Sequence, residues 1–384
     1  MRRAIGWVLA MLVLSAGLIL WRAPQVAVLV GEGFPGAVWP ASGSFAPVAG
    51  ASVVTDPPLA SPPPDEALIR LAESGGRALL FSQDGVLRAE AYGEGVDREI
   101  LLNSYSMVKS LVGALVLRAV ADGKIVGLET DLRDILGPTA PGISVGAALS
   151  MTSGLVMAEE PPKGPQSLDD EGGYSAWGPL ARLHAFGIRA VLPDLRVDPA
   201  LTGAFHYQSA NTALLGLVLE TVYRRPLPDI LSNEIWSPAG AATAQWRLTP
   251  AGDGVSAYCC LYARAIDWLK VGEFLLHNGR AEPFLPPDLW RAFILPDLLP
   301  QVRQQGSYGW HLRHDVLDRP GAGIAGPFAY MTGLDGQAAY LIPGSDAVVV
   351  RFGAQVQLLH STIYDLFPLV DLPHGPDSPS PATP

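Results

Sequence analysis

One serine and one lysine are spaced so that they could act together as a nucleophile and its base. Ser106 and Lys109 form an S-x-x-K pattern at the start of the apolar run SMVKSLVGALVLRAV. Residues three apart on a helix share a face, so the amine would lie beside the hydroxyl. The helix N-terminus would also favour the negative charge that develops during nucleophilic attack. The alternative is an exposed helical lysine preceded by a serine that caps the helix.

Lysine is rare in this chain, so few S-x-x-K patterns are expected by chance. The 26 basic residues comprise 4 lysines and 26 − 4 = 22 arginines. With ordinary serine usage, each lysine has a roughly 6% chance of a serine three residues earlier, so about a quarter of one match is expected. The match falls at a predicted helix start, but taken alone it leaves both interpretations open.

A second serine, Ser144, also stands in a pattern associated with nucleophiles. The run from Gly142 to Gly146 reads GISVG and fits G-x-S-x-G, which needs a strand before the serine and a helix after it. The preceding residues, ILGPTAP, are interrupted by prolines and indicate a loop. The sequence therefore favours a helix-capping role for Ser144.

A tyrosine further along the chain could assist a serine nucleophile. Tyr207 and Ser209 lead into the apolar run ANTALLGLVLETV, which indicates another helix. A phenol near Lys109 would ionise more readily and could move a proton during catalysis. The alternative is a structural tyrosine, with Ser209 or Asn211 capping the helix.

Composition argues against some classes of partner and cofactor. The net charge of −11 and the isoelectric point near 5.1 offer no basic face for nucleic acid. The seven histidines are scattered and H-E-x-x-H does not occur, so the sequence predicts neither a metal site nor an organic cofactor. Cys259 and Cys260 are neighbours, between which a disulfide would be strained, and we expect buried free thiols.

The N-terminus carries a candidate membrane segment. Two arginines precede an uncharged apolar run from Ala4 to Trp21, which as a helix would be about 27 Å long. The run is long for a signal peptide and Trp21 to Pro24 is a poor cleavage site, so within residues 1–24 we favour an uncleaved anchor over a signal sequence. The arginines would keep the N-terminus in the cytoplasm and place the rest on the periplasmic or extracellular side. Cleavage would instead give a secreted protein.

Composition divides the remaining chain into three parts. Residues 25–64 are rich in Pro, Gly, Ala and Ser, which indicates a linker. Residues 65–372 carry hairpin patterns around Asp84 and around Gly344, with mainly helical patterns between them. Residues 373–384 have the composition of a disordered tail. The predicted fold class is mixed α and β (α+β), with a central antiparallel sheet of N- and C-terminal strands and an inserted helical region.

Several stretches, taken in order, resemble the β-lactamase-related serine hydrolases. That superfamily includes class C β-lactamases, DD-peptidases, family VIII-type esterases and 6-aminohexanoate-dimer hydrolases. The matching stretches, from about Ala67 to Gly353, are SYSMVKSLVGALVLRAVADGKI, ISVGAALSMTSGL, FHYQSANTALLG, LSNEIWSPAGA, YARAIDWLKVGEFLLHNG and MTGLDGQAAYLIPGSDAVVVRFG. The resemblance implies a β-lactamase/transpeptidase-like fold.

The resemblance also implies roles for individual residues. Ser106 would be the nucleophile that forms an acyl-enzyme, and Lys109 would be its base. Tyr207 would relay a proton to the leaving group and activate water. Ser209 lies where class C enzymes have the asparagine of Tyr-x-Asn, and Asn211 is a candidate replacement. The oxyanion hole would combine the Ser106 N–H with an N–H from the closing strand.

The closing strand departs from the class C pattern. Counted back from GQAAYLIP, the Lys-Thr-Gly positions hold Phe328, Ala329 and Tyr330, so the lysine that binds a β-lactam carboxylate is missing. The second oxyanion N–H would fall near Met331. The G-x-x-G-Q pattern that begins at Gly333 is closer to the aminohexanoate hydrolases and esterases, although a strand glycine can also meet a backbone need alone.

The substrate pocket and the activity follow from these features as expectations. Tyr174 and Trp177, in the loop between the nucleophile and tyrosine motifs, are candidates to line the pocket, with packing inside the loop as the alternative. We expect an exported, membrane-anchored serine hydrolase acting on an ester or amide of a small molecule or short peptide-like substrate. A β-lactamase or DD-peptidase is the alternative enzyme. The alternative of another class is a binding or sensing module that keeps the fold without turnover.

Overall fold

The computed structural model describes most of the chain between Trp21 and Phe367. The described residues are 7, 11, 14, 17, 21–34, 39–41, 43–157, 176–250, 252, 254–296, 307–355 and 360–367. Most of the predicted membrane run, as well as Tyr174 and the predicted tail, lies outside them. Within these ranges, no helix is both long enough and apolar enough to cross a membrane.

Strands and helices are interspersed along the described chain. The strands are β1 (Phe45–Val48), β2 (Ala78–Gln83), β3 (Val86–Tyr92), β4 (Leu102–Asn103), β5 (Ser153–Met157), β6 (Leu195–Thr202), β7 (Ala244–Arg247), β8 (Leu261–Ala263), β9 (Ser307–Gly309), β10 (Leu312–Leu317), β11 (Gly326–Gly333), β12 (Gln337–Ile342) and β13 (Ala347–Phe352). The helices are α1 (Pro24–Gly31), α2 (Asp65–Glu73), α3 (Val108–Ala121), α4 (Leu132–Leu136), α5 (Val145–Leu149), α6 (Pro179–Val191), α7 (Ser209–Tyr223), α8 (Leu227–Leu231), α9 (Ala265–Leu276), α10 (Pro287–Ile294) and α11 (Ser361–Leu366).

The main sheet joins strands from the two ends of the domain, as the sequence predicted. Its seven antiparallel strands run in the order β3-β2-β13-β12-β11-β10-β9. Both predicted hairpins form, and their turns contain left-handed residues, Asp84 (φ 53°) and Asp346 (φ 45°). Helix α9 covers one face of the sheet, and α2 and α11 cover the other. The fold class is therefore the predicted mixed α/β one.

The helical region is built around α3 and α7, which pack against each other. Both are apolar on nearly all sides and are buried accordingly. Gly113 lies where the turn between β9 and β10 meets α3, and a Cβ at this position would clash with the carbonyl oxygen of Trp310. This close approach brings the end of the main sheet against the first turns of α3.

The described parts of residues 25–64, which are 25–34, 39–41 and 43–64, pack on the folded domain, which differs from the predicted linker. Strand β1 joins a second sheet of order β1-β7-β8-β4, and α1 packs on α6 through the buried Leu29. Glu32 follows α1 and is buried, where it accepts hydrogen bonds from Arg247 Nε (3.0 Å) and His184 Nε2 (2.8 Å). The composition is linker-like, but a few apolar side chains and one buried carboxylate are enough to attach the segment.

The two cysteines also differ from expectation. Cys259 and Cys260 form a disulfide between neighbours, so the prediction of free thiols is wrong, although both residues are buried as expected. Cys260 adopts a left-handed backbone (φ 71°), a local conformation that residue spacing does not reveal. Its N–H donates to the carbonyl oxygen of Tyr105 at 3.3 Å, so the pair lies directly behind the Ser106 segment.

Candidate active site

Ser106 lies in a tight turn between β4 and α3. The turn is a single 3-10 turn, Tyr105–Met107, and Tyr105 has a left-handed backbone (φ 44°), a conformation that costs about 1–3 kcal/mol for a non-glycine residue. Asn103 holds this turn: its Oδ1 accepts from the Tyr105 N–H at 2.9 Å, and its Nδ2 donates to Trp39 O at 3.2 Å. The local strain is therefore supported by a buried side chain and presents the Ser106 side chain at the start of a helix.

Lys109 lies beside Ser106, as the S-x-x-K spacing predicted. Its Nζ donates to Ser106 Oγ at 2.7 Å, and the residue is only 2% exposed. The amine stands 4.9 Å from the ring centroid of Tyr207 and 5.8 Å from that of Tyr258. Aromatic faces attract an amine that carries positive charge, so these two rings help to hold the lysine side chain beside Ser106.

Ser106, Lys109 and Tyr207 line one pocket. The described residues that line this pocket are Ser106, Lys109, Ser110, Tyr207, Tyr308, His311, Arg313, Tyr330 and Thr332. The structure thus brings together the three residues that the sequence selected as catalytic, from the turn before α3, from α3 itself and from the segment before α7. Their catalytic roles stay predictions.

Two residues of the tyrosine motif lie elsewhere. Ser209 begins α7 and is buried, and Asn211 is 1% exposed. The Asn211 amide oxygen accepts from Ser153 Oγ at 2.7 Å, and its Nδ2 donates to Met151 Sδ at 3.4 Å. Neither Ser209 nor Asn211 is among the described residues that line the pocket. Asn211 therefore ties Met151 and the start of β5 to α7.

The closing strand meets the nucleophile three residues later than the resemblance suggested. Tyr330 and Thr332 line the pocket, whereas Phe328 lies in the apolar cluster under α2 and α11. Gly333 passes so close to the Ser106 segment that a Cβ would clash with the carbonyl oxygen of Ser104. Met331, the residue before Thr332, lies in the apolar core under α9. The position of the Lys-Thr-Gly lysine is therefore apolar whether Phe328 or Met331 is aligned with it.

The G-x-x-G-Q pattern closes the end of β11 onto β13. The Gln337 side chain donates to Leu334 O (3.0 Å) and Gly353 O (3.0 Å), and it accepts from the Gly353 N–H (3.0 Å). Gly336 has a φ of 77° and receives a hydrogen bond from Arg351 on its carbonyl oxygen. Asp335, for which the sequence indicated only a turn role, has a left-handed backbone (φ 62°). The pattern therefore fixes the strand beside Ser106 by backbone contacts.

His311 is a lining residue that the sequence did not identify. Its Nδ1 lies 2.8 Å from Leu149 O and its Nε2 lies 2.9 Å from Thr212 Oγ1. Because a carbonyl oxygen only accepts, Nδ1 carries the proton and Nε2 accepts from the threonine. Burial lowers the pKa of His311 to about 3, and the nearby charge of Lys109 acts in the same direction. His311 is therefore a neutral cross-link between α5, α7 and the β9–β10 turn.

Tyr308, Arg313 and Thr332 also line the pocket without having been predicted. Tyr308 and Arg313 come from β9 and β10, which reach the site only because β10 pairs with β11. No local motif marks them, since their placement depends on that long-range pairing. The sequence around Tyr308 and Arg313 alternates polar and apolar residues, which indicates a strand. Many exposed strands share this pattern, so it does not identify residues of a pocket.

The remaining predicted positions are resolved more simply. Ser144 caps α5, where its Oγ accepts from the Ala147 N–H at 3.2 Å, as the sequence favoured. Trp177 is 60% exposed and is not among the described residues of the pocket wall. Among the described ranges, no cluster of three His, Cys, Asp or Glu residues could hold a metal ion. The absence of a cofactor stays a prediction.

The protein has an antiparallel main sheet, a pair of buried helices and a serine–lysine site. These features define a β-lactamase/transpeptidase-like fold. Residues 66–360 match the family described as Beta-lactamase, and this chain belongs to that family.

Solved structures with similar folds carry several descriptions. A Bacillus anthracis protein described as a 6-aminohexanoate-dimer hydrolase has a TM-score of 0.67 and 16% identity, over 84% of this chain and 89% of that chain. EstCE1, a hydrolase with promiscuous acyltransferase activity, has a TM-score of 0.57 and 18% identity, over 78% and 95%. A class C β-lactamase from Rhodobacter sphaeroides has a TM-score of 0.52 and 16% identity, over 78% and 96%. At these identities the likeness shows a shared fold.

Proposed function

We propose that this protein is a serine hydrolase that cleaves an ester or an amide through an acyl-enzyme at Ser106. The observation that carries the proposal is the 2.7 Å hydrogen bond from Lys109 Nζ to Ser106 Oγ, in a pocket that also holds Tyr207. A nucleophile needs a base within hydrogen-bond reach and a third group to handle the leaving-group proton, and this arrangement supplies candidates for each.

The proposed reaction has two halves. Ser106 Oγ attacks the carbonyl carbon, and its proton passes to the neutral Lys109 amine. The Tyr207 hydroxyl then gives a proton to the leaving alcohol or amine, which departs and leaves the acyl group on the serine. In the second half, water attacks the acyl carbon and gives a proton to the Tyr207 phenolate, the bond to Ser106 Oγ breaks, and the Lys109 ammonium returns its proton to Ser106 Oγ as the acid product leaves.

The oxyanion of each tetrahedral intermediate would be held by backbone donors. The Ser106 N–H lies in a turn at the start of α3, where the helix dipole also favours negative charge. A second donor would come from the end of β11, which Gly333 allows to approach the Ser104 backbone closely. Such donors are effective because they are already oriented before charge develops.

The direct test compares two serines. Ser106→Ala is expected to reduce hydrolysis of p-nitrophenyl butyrate by at least about 1,000-fold, because the nucleophile is removed. The matched control is Ser144→Ala, which loses a helix cap worth about 1 kcal/mol but no catalytic group, and should keep the rate within about threefold. A large loss in Ser144→Ala with an active Ser106→Ala protein would reverse the assignment of the nucleophile.

The alternatives make different predictions with two probes. A β-lactamase or DD-peptidase would react with a chromogenic cephalosporin or a fluorescent penicillin, whereas an esterase or amidase would favour linear esters or amides. Phe328 and Met331, the two candidates for the Lys-Thr-Gly lysine position, are both apolar, which favours the second outcome. A binding module without turnover would leave both substrate types intact and would not be labelled by a fluorophosphonate.

For localisation we propose an exported protein held in the membrane by the N-terminal run. The support is the uncharged apolar sequence from Ala4 to Trp21, preceded by two arginines. Fractionation of cells and N-terminal sequencing of the mature protein test this proposal. Recovery in the membrane fraction with an intact N-terminus is expected, and a mature chain that starts after Ala23 would replace the anchor with a signal peptide.

A further inference from the structure

Tyr308 makes an edge-on contact with Tyr207, the residue that would give a proton to the leaving group. The centroids of the two rings are 6.1 Å apart and the ring planes meet at 85°, an arrangement that aromatic pairs prefer. The Lys109 amine lies 4.9 Å from the centroid of the same Tyr207 ring. The ring whose hydroxyl would act in the reaction is therefore contacted by a tyrosine as well as by the lysine.

Tyr207 lies in the connection between β6 and α7, outside any helix or strand. This connection follows Thr202, the last residue of β6, and ends where Ser209 begins α7. A functional side chain on a connection is held less precisely than one on a helix or strand, unless neighbouring side chains pack against it. The orientation of the Tyr207 ring therefore depends on its packing.

Tyr308 belongs to the main sheet and is itself held by several side chains. It lies on β9 opposite Arg313 of β10, whose guanidinium carbon is 5.9 Å from the centroid of the Tyr308 ring. The Phe205 ring packs against it, with 5.1 Å between centroids. The hydroxyl oxygen of Tyr308 lies 3.3 Å from Nδ1 of His311. An aromatic side chain fixed in this way provides a firm surface against which another ring is placed.

We propose that Tyr308 is a positioning residue for Tyr207, whose phenol ring it holds in the orientation that proton transfer needs. In that step the bond between the carbonyl carbon and the leaving oxygen or nitrogen breaks, and the Tyr207 hydroxyl gives its proton to the leaving atom. Tyr308 gives and accepts no proton, so the reaction needs its ring and not its hydroxyl. The proposal rests on the proposed hydrolase function and adds the residue that orients its acid.

Two esters with different leaving groups report on this step. p-Nitrophenyl butyrate releases p-nitrophenolate, a stable anion that needs no proton, whereas benzyl butyrate releases an alkoxide that must be protonated as it leaves. The value of kcat/KM covers the reaction only as far as release of the alcohol, so hydrolysis of the acyl-enzyme does not enter. The ratio of the two kcat/KM values, p-nitrophenyl to benzyl, therefore rises when the acid is lost or misplaced.

The expected ratios separate the ring of Tyr308 from its hydroxyl. Tyr207→Phe removes the acid and should raise the ratio by about 100-fold or more. Tyr308→Ala and Tyr308→Leu remove the packed ring and should each raise it by about tenfold or more, because a displacement of about 1 Å can cost about 100-fold. Tyr308→Phe keeps the ring and should leave the ratio within about threefold of the wild-type value. In a Tyr207→Phe background, Tyr308→Ala should cause no further rise, because the acid is already absent.

The ratio is measured within each variant, so a general loss of folded protein cancels. Labelling of Ser106 by a fluorophosphonate adds a second readout, because fluoride leaves without a proton, and labelling should continue in Tyr308→Ala and Tyr308→Leu. The matched control is Tyr364→Ala, which should keep the wild-type ratio. Tyr364 is also half-buried with an arginine over its ring, the Arg319 guanidinium carbon at 3.8 Å, but it lies on α11 and is not among the described residues that line the pocket.

Several outcomes overturn the positioning role in a protein whose hydrolysis depends on Ser106. One is a ratio within about threefold of wild type in both Tyr308→Ala and Tyr308→Leu, and others are an equal rise in Tyr308→Phe or a further rise in the double variant. Loss of labelling in both ring-removing variants also overturns it, because Tyr308 would then support the nucleophile and not the acid. Hydrolysis that persists in Ser106→Ala protein contradicts instead the hydrolase proposal itself.

Discussion

At the scale of single residues, Lys109 is the side chain on which the proposed chemistry depends most. Its amine lies near the rings of Tyr207 and Tyr258 and donates a hydrogen bond to Ser106. These contacts hold the amine at the atom whose proton it would accept. A buried lysine is costly unless its surroundings compensate, and such residues recur at functional sites.

Replacing Lys109 should remove most of the activity. Lys109→Ala is expected to lower kcat for p-nitrophenyl butyrate by about 100- to 10,000-fold, the usual contribution of a general base. Lys124→Ala is the matched control, because Lys124 Nζ also stands 4.9 Å from a tyrosine ring, that of Tyr223, but lies outside the pocket. If kcat fell equally in the two variants, the loss would come from removing a lysine–tyrosine contact and not from removing the general base.

His311 should make stability depend on pH. Burial lowers its pKa to about 3, whereas in the unfolded chain it titrates near 6.5. Between these values the unfolded state binds a proton that the native state does not, so the free energy of unfolding falls as pH falls, by up to about 1.4 kcal/mol per pH unit. His311→Asn keeps a donor near Leu149 O but does not titrate.

The measurement is urea unfolding of the wild-type and His311→Asn proteins at pH 7, 5.5 and 4.5. Burial also lowers the pKa of His184 and of His314, each to about 4, but both residues remain in both proteins. The difference in slope therefore isolates His311, and the variant should lose stability less steeply. Parallel curves would show that His311 is not neutral in the native state.

At the scale of elements, the site depends on two strands and a helix meeting at short distance. Glycines at the contacts make this possible: Gly113 admits the β9–β10 turn against α3, and Gly333 admits β11 against the Ser106 segment. A glycine in a helix or strand interior normally lowers stability slightly, so its presence here is explained by the close approach.

Gly333→Ala should therefore impair the site more than the fold. The added methyl group would clash with the backbone of Ser104 and push the turn that carries Ser106, so we expect kcat/KM to fall by at least about tenfold and stability by about 1–3 kcal/mol. The control is Gly309→Ala on β9, where a Cβ meets nothing within 4 Å. A fully active Gly333→Ala protein would show that the approach of β11 is not needed for catalysis.

At the scale of the whole molecule, the N-terminal segment is tied to the catalytic region by a buried charge. Burial by itself raises the pKa of Glu32, but the hydrogen bond from His184 and the charge of Arg247 outweigh it and hold that pKa below its usual value. Nearby, Trp39 O accepts from Asn103 Nδ2, two residues from Tyr105. The segment that follows the predicted anchor thus supports the turn that presents Ser106.

Glu32→Ala should expose the importance of this attachment. Removing one partner leaves Arg247 buried without its carboxylate, which typically costs about 3–5 kcal/mol. Urea unfolding at pH 7 measures the loss. Glu129→Ala, at an exposed position, should change stability by less than about 0.5 kcal/mol. Similar stabilities of the two variants would show that residues 24–34 contribute little to the fold.

What the sequence could predict depends on how local each signal is. The S-x-x-K spacing lies within one helical turn, so Ser106 and Lys109 were identifiable. Tyr207 was a candidate from its place before an apolar helix, and the resemblance supported it. Arg313 and His311 were not, because they reach the site only through strand pairing and the packing of the β9–β10 turn. The sheet followed from hairpin patterns at both ends. The described part of residues 25–64 differs from the predicted linker because a few buried side chains outweigh a linker-like composition.

The acyl-enzyme itself is the most direct test of the account. Wild-type protein should be mixed with a fluorophosphonate or a slowly hydrolysed p-nitrophenyl ester, quenched in acid, and examined by intact-mass and peptide mass spectrometry. One adduct per chain, on the peptide that contains Ser106 and absent from Ser106→Ala protein, is the predicted result. An adduct on the peptide that contains Ser144, or ester turnover that persists in Ser106→Ala protein, would contradict the assignment of Ser106 as the nucleophile.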